Sequence, residues 1–175
     1  MPNQTDEQRA EHLRQTLESS TDDAVTNMLE HLRDEGALYA VEPIVELLFA
    51  PRSATLRQHV VSMLADIRTP EASDVIASCI ERFRDRPELP LLVSVCWQSR
   101  LSFAEHALLL IDLLRREPLD TGIEAYSVLD VLLPQLSPEQ QAQHVQLLRQ
   151  GPATEQAQGS TLLMQSLVDK LLDQS

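Results

Sequence analysis

Val60-Val61-Ser62-Met63-Leu64 is the stretch on which the reading of the fold turns, because it recurs. A small polar residue followed by two apolar ones returns in Leu92-Val93-Ser94-Val95-Cys96, in Ala125-Tyr126-Ser127-Val128-Leu129 and, upstream, in Val25-Thr26-Asn27-Met28-Leu29. From Asn27 to Ser127 the central residues are spaced by 35, 32 and 33 positions. Self-similarity at such a period is the mark of stacked supersecondary units, each unable to bury its apolar face alone.

Working outward, helical spacing surrounds every copy. Val25, Met28, Leu29 and Leu32 form one stripe, and Val41, Ile44, Val45, Leu48 and Phe49 the next. Leu56, Val60, Met63, Leu64 and Ile67 are followed by Ile76, Cys79, Ile80 and Phe83, then by Leu91, Leu92, Val95 and Cys96. The segment from Phe103 to Leu114 is apolar nearly all round, which predicts burial between neighbours at the centre of the core. Ala125, Val128, Leu129 and Leu132 continue the series, Val145 and Leu148 make a weaker stripe, and Leu163, Leu167, Val168 and Leu171 close it. With 4 Gly, 3% aromatic residues and no alternating apolar run, strand signals are missing.

Boundary chemistry gives independent expectations. Ser102 with Glu105, Thr121 with Glu124 and Ser137 with Gln140 have capping-box spacing. Pro70 and Pro138 stand where a first helical residue is expected, and Gly36 and Gly151-Pro152 read as stops. Connections of a few residues fold consecutive helices back as hairpins. The chain therefore reads as an all-α, α-solenoid single domain over 1–175: disorder over 1–5, a polar N-terminal helix over 6–20 held as a cap or loose arm, about four hairpins over 21–150, and a C-terminal helix over 152–175.

Composition restricts the function. The 175 residues carry a formal charge of -13, which repels nucleic-acid backbones and anionic membrane surfaces at long range. Lys170 is the single lysine among 14 basic residues, a bias that base composition or salt adaptation would produce. The polar segment Met1 to Gln15 does not read as a signal peptide, and the longest apolar runs are too short to span a membrane. Cys79 and Cys96 sit in apolar runs and read as core thiols, with pairing open only if neighbouring helices bring them together, so a cytoplasmic, reducing location is expected.

From about Thr21 to Gln150 the chain resembles the HEAT-repeat superfamily, and Cys96-Trp97-Gln98-Ser99-Arg100-Leu101-Ser102-Phe103 looks like a segment of uncharacterised bacterial HEAT-like proteins. The units are shorter than usual for that superfamily. The resemblance implies a non-catalytic protein-interaction or scaffold module whose partner is another protein or peptide, with a basic one favoured by the charge. Two alternatives remain at this stage. One is an enzyme or enzyme-accessory protein of the same superfamily. The other is a structural subunit that self-associates through the end helices, using the Leu162 to Leu172 face.

Neither a cofactor nor a metal is expected. His12, His31, His59, His106 and His144 lie on separate segments and read as exposed or partly packed, while paired carboxylates such as Glu42 and Glu46 read as solvated. The candidate binding residues are Arg33, Arg68, Arg100 and Trp97. The three arginines share the repeat offset and would ladder along the ends of the first helices, either complementing helix dipoles or holding a carboxylate-rich segment. Trp97 takes the repeat position of Ala65 and Asp130, either packed between hairpins or anchoring an interface.

Overall fold

A computed structural model describes residues 4–173, and the regular elements among them are ten α-helices and four short 3-10 segments. The chain divides into two compact units, Met1–Leu101 and Ser102–Ser175. The first holds α1 (Gln4–Ser19), α2 (Asp22–Glu35), α3 (Val41–Phe49), α4 (Ala54–Ala65), α5 (Ala72–Arg82) and α6 (Leu89–Gln98). The second holds α7 (Ala107–Arg116), α8 (Leu119–Leu132), α9 (Pro138–Arg149) and α10 (Thr161–Asp173).

In the first unit, α1, α3 and α5 pack side by side in one row and α2, α4 and α6 in another, with α3 lying against α4 and α6. Every residue of the two stripes on α3 and α4 is buried except Ile67, which is half-buried beyond the end of α4. The most enclosed helix is α3, where only Glu42 and Glu46 escape burial. These two carboxylates are not solvated as a chance pair. Glu46 accepts from Arg14 on α1 at 2.6 Å and from Arg82 on α5 at 3.0 Å, and Glu42 accepts from Arg82 at 2.6 Å. One acidic edge of α3 thus joins its neighbours on both sides.

The N-terminal helix is correspondingly held rather than loose. Its Leu17 is buried, and its C-terminal carbonyls accept from Arg52, which follows α3 and reaches the oxygens of Leu17 and Ser20 as well as Asp22 at 3.1 Å. Arg86, which follows α5, does the same for α3 by donating to the Phe49 oxygen at 2.9 Å. Beside it Phe49 stacks on Phe83 with centroids 4.1 Å apart, and the guanidiniums of Arg86 and Arg82 lie over the two rings. The disorder expected for 1–5 concerns mainly positions outside the described residues, while Gln4 and Thr5 already belong to α1.

In the second unit α7 packs on α8 and α9, and α10 packs on α9 and α8. Tyr126 with Ser166 and Asp130 with Lys170 are both 40 positions apart, so α8 and α10 run parallel in constant register. The expectation that Phe103 to Leu114 is buried all round is corrected: α7 begins only at Ala107, and Leu108 is 59% exposed. Gly122 permits close approach here, since a Cβ would collide with the buried hydroxyl of Ser160. The expected C-terminal helix over 152–175 is shorter, with a 3-10 segment, Glu155–Ser160, before α10; residues 174–175 lie outside the described ones.

Several helix ends follow local chemistry. Ser137 and Gln140 form the expected capping box with Pro138 in the first turn, and Gly36 ends α2 in the left-handed conformation at φ 56°. Other expected starts are displaced. Ser102 accepts from Ala104 in a 3-10 turn rather than capping with Glu105, because α7 starts five residues later. Pro118 fixes an earlier start for α8, so Thr121 is a buried residue inside the first turn. Pro70 precedes α5 in a turn, and the Thr69 hydroxyl donates to the Gly36 oxygen at 3.1 Å instead of capping.

Two comparisons of variants test this packing. Arg52→Met strands the part-buried carbonyls of Leu17 and Ser20 and leaves Asp22 without its cation, and is expected to cost about 2–3 kcal/mol in urea unfolding, whereas Arg33→Met stays within about 0.5 kcal/mol. Gly122→Ala is expected to cost about 1–3 kcal/mol, with most of that loss recovered when Ser160→Ala is added, because the hydroxyl is the colliding atom and has no hydrogen-bond partner.

Candidate functional site

Arg33 lies in the last turn of α2, and Arg68 and Arg100 lie just beyond α4 and α6. All three are exposed. Arg33 sits 3.6 Å from Asp66, whereas the Arg68 and Arg100 side chains make no ion pair or hydrogen bond among the described residues. Arg33 and Arg68 share the wall of one cavity, and Arg100 is not part of it. Trp97 is 50% exposed near the end of α6. Two of the four candidate residues therefore line one cavity, and the other two are not part of it.

That cavity, of about 230 Å³, opens between the C-terminal ends of α2 and α4. Its floor is apolar, built from Ala40, Val41, Ile44 and Met63, all buried. Arg33, Asp66, Arg68 and Thr69 stand among its polar lining.

A second, wider concavity of about 510 Å³ was not anticipated from the sequence. Asp6, Glu7 and Ala10 of α1 form one wall, and Glu42 of α3 with Val75 of α5 the other. Between them the 3-10 turn Leu38–Ala40 presents Leu38, 40% exposed, and Tyr39. The guanidinium of Arg9 lies 5.3 Å from the centre of the Tyr39 ring. The result is an apolar floor with three carboxylates around it. One signal could have found it: Leu38 and Tyr39 follow the Gly36 stop and precede the next stripe, so they belong to neither buried face.

The titratable groups elsewhere are positioned by packing. Cys79 and Cys96 are free and buried; burial pushes the Cys79 thiol up to about 12, helped by the Glu42 charge, and raises that of Cys96 further. Both are poor nucleophiles in this state. Among the described residues no group of three or more His, Cys, Asp and Glu could hold a metal ion, and no helix is long and apolar enough to cross a membrane. The reading of all five histidines as exposed or partly packed fails at His144, which α9 turns into the core of the second unit with 5% exposure. On α10, Leu162 and Leu172 are exposed, but exposed Gln165, Ser166 and Asp169 separate them, so the two leucines do not make one apolar face.

No protein-family model, curated protein or solved structure matches this chain.

Burial lowers the His144 pKa below its ordinary 6.5, and its Nδ1 has no hydrogen-bond partner. The unfolded chain therefore binds the proton more readily than the folded one. The contribution of this group is full above pH 6.5 and is lost as the pH falls below it. In urea titrations between pH 7.5 and 5.5, His144→Leu is expected to show a smaller loss of stability than the unsubstituted chain; equal losses would remove His144 as the cause.

Proposed function

We propose that this chain is a non-catalytic protein-interaction module of the α-solenoid type, similar to HEAT repeats, which docks a basic, amphipathic segment of a partner protein. The observation that carries the reading is the groove lined by Asp6, Glu7 and Glu42 around Leu38, Tyr39 and Val75. Its floor offers apolar area that a monomer gains nothing by exposing. Its rim offers carboxylates to a cation, on a chain whose formal charge is already -13.

The solenoid part of the proposal is supported by packing of alternate helices within each unit and by side-chain ties that span between 30 and 40 positions. A basic occupant is supported by the Tyr39 face, which already takes the Arg9 guanidinium of the chain itself. Glu42 pairs with Arg82 on the exposed side, an arrangement that an incoming arginine can share because a carboxylate accepts from two donors. Helices supply all but two of the lining residues, so the site is largely preformed and the ordering cost falls mainly on the partner. A cytoplasmic setting belongs to the same proposal, consistent with two free buried thiols.

An arginine/leucine amphipathic peptide titrated into the isotope-labelled chain is expected to shift the amide signals of Ala10, Leu38, Tyr39 and Val75, and binding should weaken with salt. Leu38→Asp should remove the apolar contribution, and Glu42→Lys should reduce affinity about tenfold or more. A glutamate/leucine peptide binding equally well, or shifts confined to other surfaces, would refute the reading.

A further inference from the structure

We infer that the cavity between the ends of α2 and α4 binds a small monocarboxylate carrying an aliphatic tail. This inference does not rest on the groove, which lies on other residues. Among the described residues that line the cavity are two guanidiniums, Arg33 and Arg68, and one carboxylate, Asp66, so cations outnumber carboxylates there on a chain of strongly negative total. Inside, the side chains of Ala40, Ile44 and Met63 give an apolar floor to a cavity whose whole volume, polar lining included, is about 230 Å³. A charged head and an apolar body are thus demanded together.

The nearby polar groups narrow the head to an anion. Helix C-termini ordinarily disfavour negative charge. Here, however, several of the carbonyls concerned are engaged: the oxygens of Ser62 and Met63 accept from Asp66 N–H, that of Leu64 from Ile67 N–H, and that of Gly36 from the Thr69 hydroxyl. What stays available is guanidinium. Arg68 has no partner among the described residues, and the Arg33 contact with Asp66, at 3.6 Å, is too long for a hydrogen bond. Asp66 is half-exposed and can turn to water as an incoming carboxylate takes its place beside Arg33, with Arg68 on the lining of the same cavity. That carboxylate gains paired charge-assisted hydrogen bonds, and its tail displaces water from an apolar floor.

Two sources share this chemistry, a free aliphatic acid and the C-terminal residue of a peptide. Octanoate and an acetylated dipeptide ending in leucine represent them, with octanol and the amidated dipeptide as controls lacking the carboxylate. In methyl and amide NMR titrations of the full chain, at least one carboxylate is expected to shift Ala40, Ile44 and Met63, and to bind about tenfold or more tightly than its control. The tighter of the two identifies the source. Arg33→Gln combined with Arg68→Gln should abolish that preference while leaving the arginine/leucine peptide titration unchanged, since both side chains are exposed and lie outside the groove. Controls binding as well as the carboxylates, no shifts at the cavity residues, or a preference unaffected by the double substitution would overturn the inference.

Discussion

The last carbonyls of an α-helix have no donor within the helix, and at the ends of α1, α3 and α7 donors come from just beyond the next helix but one. Arg52, beyond α3, serves α1; Arg86, beyond α5, serves α3; in the second unit Thr154 and Gln156, beyond α9, both donate to the Arg116 oxygen at the end of α7. Alternate helices must lie side by side for these bonds to form. A local requirement of the backbone thereby becomes the tie that organises each unit, and the sequence separations of 32 to 40 among these bonds mirror the repeat seen in the chain.

This gives the arginine bias a physical use. A guanidinium presents five donors in a planar fork, so Arg52 can serve two carbonyls and a carboxylate at once, and Arg82 can hold Glu42 and Glu46 together. Lys170 performs the corresponding work between α10 and α8, donating to both the backbone and the side-chain oxygen of Asp130. Base composition can still explain why arginine is common. It does not explain why these positions bridge helices.

The same economy shapes the surface. Many of the cations are engaged by carbonyls and by carboxylates of neighbouring helices, so the net acidity is expressed at places such as the groove walls. Arg33 and Arg68 differ, standing at helix ends whose carbonyls find other donors, and it is there that the surface offers positive charge beside an apolar cavity. The ligands proposed for the two concavities are therefore of opposite charge.

Most of the stripe positions from Val25 to Leu171 were legible because burial demands apolar side chains at helical spacing whatever the neighbour, although Met28, Leu32, Phe83, Leu91 and Leu132 are only half-buried; the capping box at Ser137 and the stop at Gly36 were legible because their partners lie within one turn. The period itself was visible as recurrence around Ser62. Other features were decided only in three dimensions. Glu42 and Glu46 read as solvated until Arg14 and Arg82 arrived from other helices, His144 read as partly packed until α9 turned it inward, and Arg52 carried no signal because a backbone carbonyl 35 residues away has no sequence identity to recognise. Of the candidate arginines, the chain alone supplied a common offset, but only the placement of α2 beside α4 set Arg33 and Arg68 on one cavity and left Arg100 off it. Periodicity fixes which face a residue occupies; which faces meet depends on contacts between distant segments, and those are made by the tertiary structure.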